Sequence, residues 1–102
     1  THILYTHIVV AFLVLLFAIV TGIRSMRSGD PLLKKLGMSL HTLVLVQILL
    51  GAGALIAIII NKGETVPLYE VIVTTLHQAN GALLLGASVV TYAWCRRMRV
   101  LT

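Results

Sequence analysis

Three long stretches without a charged side chain decide what this chain can become: residues 1 to 23, ahead of Arg24; residues 36 to 61, between Lys35 and Lys62; and residues 71 to 95, between Glu70 and Arg96. Each exceeds the roughly 20 residues with which a helix crosses the hydrocarbon core of a bilayer. Only 11% of the 102 residues are charged and 59% are apolar, whereas a surface facing water carries about a quarter charged residues. Runs such as Ile58-Ile59-Ile60 favour strands in water, but in lipid a backbone must satisfy its own hydrogen bonds, and three open strands cannot. The expected fold is therefore all-α: an integral membrane bundle of three helices, at about 1–23, 37–60 and 70–95, forming a single membrane domain 1–102 with no room for a separate catalytic domain. The first run has no basic residue ahead of it and is too long for a signal core, so it reads as a helix of the bundle.

The connectors differ in charge. Arg24, Arg27, Lys34 and Lys35 face Asp30 alone in the first, which also holds the turn signal Gly29-Asp30-Pro31. Lys62 stands against Glu64 and Glu70 in the second. With Arg96, Arg97 and Arg99, one side of the membrane collects seven of the eight basic residues, which places the first connector and the C-terminus in the cytoplasm and the N-terminus outside. Tyr92 and Trp94 suit the inner interface, Tyr69 and Tyr5 the outer one. The formal charge of +5 is thus a topology signal and a contact for anionic lipid, and no nucleic-acid partner is expected. One cysteine, Cys95, excludes an internal disulfide or a Cys-based metal cluster within one chain. A cell membrane, the prokaryotic plasma membrane or its equivalent, is the expected location.

Four histidines stand out in so apolar a chain, because ionisable groups inside a bilayer are costly and mark function. On helices that both run inward, His7 and His77 lie at similar depth, roughly 5 to 10 Å below the outer surface. His41 opens the second helix near the opposite face, and His2 is terminal. Two histidines at one depth on different helices are what axial ligation of a heme requires. They are equally suited to hydrogen bonding between helices; a bare copper or zinc ion suits them less, since no carboxylate or thiol shares their depth. Ala11 and Gly81 each follow a histidine by four residues and so share its helix face, and Gly51-Ala52-Gly53-Ala54 lies on the outer half of helix 2. These small residues leave space for a flat ring or for close helix packing. Gln47 and Asn80 read first as interhelical hydrogen-bonding residues, with a heme contact the second reading for Gln47.

The segment His77-Gln78-Ala79-Asn80-Gly81-Ala82-Leu83-Leu84 resembles the His-Gln start of the last helix of heme A synthases. Leu45-Val46-Gln47-Ile48-Leu49-Leu50-Gly51-Ala52 resembles the Gln-x-x-x-Gly helix just before it, and Thr6-His7 with Ala11 sits where that family places its other ligand. The resemblance covers all three helices in order. It implies a helical bundle that binds heme, with His7 and His77 as axial and metal ligands and Ala11, Gly81, Gln47 and Gly51 around the ring. The departures are instructive. Heme A synthases pair two four-helix bundles, whereas this chain supplies three helices of one. Their substrate-oxidising half carries a glutamate three residues before a ligand histidine; Leu4 stands there, and Glu70 is seven residues from His77. Ile8 replaces a frequent arginine, and no external cysteine pair occurs. What remains resembles the half that holds heme b. The resemblance thus implies a small b-type cytochrome for electron transfer, partnered by lipid and by other subunits of a respiratory or photosynthetic complex, or by a second copy. A compact heme A synthase acting as an oligomer, and a heme-free accessory subunit, are the alternatives.

Overall fold

The computed structural model describes residues 2–61, 63 and 65–101, and the chain is helical in three pieces: α1 (His2–Met26), α2 (Pro31–Ile60) and α3 (Leu68–Leu101). They run up, down and up in a slab of 58 × 25 × 17 Å. α2 is the middle element, packed along both α1 and α3.

Two helix boundaries differ from those expected. α2 starts at Pro31 rather than near 37, because the turn signal is also a helix start. Gly29 takes φ 83°, Asp30 is extended at φ −81° and ψ 127°, and Pro31 occupies the first turn, where its missing N–H costs nothing. The Asp30 Oδ2 accepts from Leu33 N at 3.0 Å and closes the cap. Lys34 and Lys35 are thus helical residues with exposed side chains. α3 continues past Cys95 through the arginines, which are good helix formers and complement the negative end of the helix dipole.

α1 and α2 are each long and apolar enough to cross a membrane, with a mean hydropathy of 2.8 in their best windows, of which only 6% and 17% is buried. α3 does not reach the same apolar mark: Thr74, Thr75, His77, Gln78 and Asn80 interrupt its run.

The core lies toward the end of the slab that holds the α1–α2 turn. Ala18, Leu40, Val44 and Leu84 form it, with Leu15, Ile19, Leu43 and Ala87 packed around. Beside it α1 and α2 cross closely. A Cβ added to Gly37 would stand 2.6 Å from Gly22 O, and one added to Gly22 would stand 2.6 Å from His41 Nδ1. A side chain at 37 would press on backbone and one at 22 on the His41 ring, a close approach that small residues permit. Toward its N-terminus α1 loses this cover. The face that is 7% exposed at Ala18 is 46% exposed at Ile8 and 44% at Leu4. α1 is pressed against α2 at one end and uncovered toward the other, where α2 and α3 stay in contact.

A second clasp holds the tight end. The Trp94 indole of α3 donates to Asp30 Oδ2 at 3.0 Å, and the Arg97 guanidinium lies 5.6 Å from the Trp94 ring. Asp30→Ala removes both the cap and the indole's acceptor. We expect a loss of about 2 kcal/mol of stability, read as a lower denaturation midpoint in detergent. Trp94 is the only tryptophan, so greater quenching of its emission by acrylamide should accompany the loss. At the other end Asn61 Nδ2 donates to Thr65 O and to Glu70 Oε2, both at 3.1 Å, bracing the α2–α3 connector.

Candidate functional site

His7 is the sixth residue of α1 and His77 the tenth of α3, and because these helices run parallel the two come level. Their ring centroids are 6.2 Å apart and their planes cross at 79°. The approach lies on the open half of the slab, where His7 is exposed and His77 half-buried. Imidazoles that bind one metal atom from opposite sides, each through a bond of about 2 Å, hold their centroids roughly 6 Å apart. The observed spacing is the same.

His77 is fixed from behind by α2. The position of a Cβ on Gly51 is 3.0 Å from His77 Cε1, so any side chain at 51 would press on the ring. Nδ1 of His77 is buried without a hydrogen-bond partner, the one such side-chain atom among the described residues. An unpaired buried nitrogen costs roughly 1–3 kcal/mol, and this one belongs to a residue able to bind a metal.

One turn further along α3, Asn80 Nδ2 donates to Gln47 Oε1 at 2.8 Å and to the Leu43 carbonyl at 3.0 Å. Gln47 Nε2 rests where Gly81 lacks a side chain, 3.1 Å from the position of its Cβ. The two amides therefore join α2 to α3. Gly81 makes room for Gln47, and Gly51 makes room for His77. Ala11, half-buried, follows His7 on α1.

His41 belongs elsewhere. It lies beneath Gly22 at the tight end, with Nδ1 3.0 Å from Gly37 O. A carbonyl only accepts, so Nδ1 is the donor in this contact. The pattern Gly37-x-x-x-His41, four residues apart and so on one helix face, is the sequence signal for this contact; neither Gly22 nor Gly37 is prominent by composition. Glu70 accepts from Asn61, and Cys95 is a half-buried free thiol. Lys62 and Glu64, the remaining charges of the second connector, lie outside the described residues.

Chemically the arrangement offers two neighbouring imidazoles in a T-shaped contact. Among the described residues no three of His, Cys, Asp and Glu come together, so a bare ion would meet two protein ligands where a closed site supplies four. A metal that brings its own equatorial ligands, as heme iron does, needs only the two axial ones. By number and type of donor, His7 and His77 would suffice for such a group. Comparison of the chain with protein-family models, with curated proteins and with solved structures found no match.

Proposed function

We propose that the chain is a membrane-embedded, b-type heme-binding bundle similar to the heme b half of heme A synthases, and that His7 and His77 are its axial ligands. The observation that carries this reading is the level approach of the two rings, 6.2 Å apart and nearly perpendicular, on the open half of the slab. The bound heme supplies one-electron redox chemistry. The chain's own part is to hold and orient the group: His7 from α1, His77 from α3 backed by Gly51, and an apolar surround that excludes water. The role is electron transfer within the membrane, in partnership with other subunits or a second copy that covers the open side.

In this reading α3 also spans the bilayer. Its polar residues turn toward α2, as Asn80 does with Gln47, and its arginines stop it at the cytoplasmic interface. The N-terminus is then outside and the C-terminus inside.

Oxidation of a heme methyl group would further require a second heme site and a group that handles protons. No acid lies within a helical turn of either histidine in the sequence, which favours the cytochrome over the enzyme. The test is to express the chain in a host that supplies heme O, purify it, record the dithionite-reduced spectrum and separate the extracted hemes by chromatography. We expect a b-type band and heme b alone. Heme A or a hydroxylated intermediate that depends on His77 would make the enzyme the better reading, and a purified chain without a heme band would make it a heme-free accessory subunit.

A further inference from the structure

Apolar contacts resist the separation of two helices far more than their rotation or sliding, because dispersion has no direction; hydrogen bonds between them do. On α3 the residue that makes such bonds is Asn80, three positions after His77 and so on a neighbouring strip of the same face. It is 8% exposed. Its single amide nitrogen donates twice to α2, to the side chain of Gln47 at 2.8 Å and to the backbone of Leu43 at 3.0 Å. The Leu43 carbonyl is part of the helix and cannot follow a turning partner. Two acceptors one helical turn apart on α2 therefore fix both the height of α3 and its rotation about its own axis. The same seam ends at Gly51, against the His77 ring.

We infer that Asn80 is the positioning residue of His77: through Gln47 and Leu43 it sets the rotation of α3 and thereby holds the His77 imidazole plane at its 79° crossing with that of His7. The inference rests on the heme reading above and adds to it a determinant of the ligand geometry. Asn80 itself touches no metal.

The angle between axial imidazole planes is legible in the electron paramagnetic resonance of oxidised low-spin heme. Nearly perpendicular planes give a strongly anisotropic signal with one feature at very low field, and parallel planes give a rhombic one. The experiment compares this spectrum and the heme-to-chain ratio in the full chain, in Asn80→Leu and in Gln47→Leu. The unaltered chain should give the strongly anisotropic signal. Asn80→Leu should keep its heme and lose that signal in favour of rhombic or mixed species, and Gln47→Leu, which spares the Leu43 bond, should shift it less. Heme-loaded Asn80→Leu with the unaltered spectrum would overturn the inference. Should Asn80→Leu fail to fold, Asn80→Ala, which removes the same two bonds with less bulk, decides: a shifted signal supports the role and an unchanged one overturns it. A rhombic signal from the heme-loaded unaltered chain would overturn it as well. Absence of heme from the unaltered chain would instead refute the heme reading.

Discussion

His77→Ala is expected to abolish the reduced b-type band altogether, and His7→Ala to do the same. In the proposed site each would remove one of the two imidazoles that a six-coordinate iron needs, and among the described residues no cluster of other ligands stands by to replace it. The two variants should differ in their response to added imidazole. The His77 ring is held between Gly51 and His7, whereas His7 is exposed, so a small ligand reaches the His7 position more easily. Added imidazole should therefore restore part of the band in His7→Ala and little in His77→Ala. His41→Ala is the control, since that ring is engaged with Gly22 and Gly37 at the other end of the slab. The absorption spectrum and the heme content of the purified chains measure all three, and a His41 variant that loses heme while the His7 variant keeps it would reverse the assignment.

The second large effect belongs to the α1–α2 crossing. Gly37→Leu forces a side chain against Gly22 O, 2.6 Å from the new Cβ, and against the backbone nitrogen of Met26 at 3.1 Å. Backbone cannot move aside as a flexible side chain would. Overpacking of this kind costs about 1–3 kcal/mol even where some relaxation is possible, and here relief requires the helices to part. The variant should lower the denaturation midpoint in detergent strongly and lose α1 from the packed slab. Gly37→Ala should show the same effect in weaker form. Gly86 provides the comparison: nothing lies within 4 Å of its added Cβ, so Gly86→Ala should leave the midpoint unchanged or raise it.

The three helices were legible because charge and its absence alternate along the chain on the scale of a membrane. The helix ends were less so. Lys34 and Lys35 look like loop residues to an argument built on charge, yet Asp30 caps the helix ahead of them and a helix tolerates lysines that point outward. The level placement of His7 and His77 follows from counting residues along parallel helices, which needs no tertiary information. Gln47 and Asn80 were recognisable as interhelical hydrogen-bonding residues; that they bond to each other depends on the register of α3 against α2, which no local pattern encodes. The Asp30–Trp94 bond joins residues 64 positions apart, and the Gly22–Gly37 crossing depends on which faces of two almost uniformly apolar helices meet. Where every face is apolar, periodicity gives no direction.

The crossing at Gly22 has a mechanical meaning for His7. From that pivot to His7 the helix runs 15 residues, about 22 Å, with less and less cover. It is a lever. A tilt of about 5° at the glycines moves the far end by roughly 2 Å, ten times the few tenths of an ångström that a metal–ligand bond accepts. If His7 ligates a heme as proposed, whatever leans on the outer half of α1, whether lipid, another subunit or a second copy, would act on that bond, with the Gly22–Gly37 contact as fulcrum.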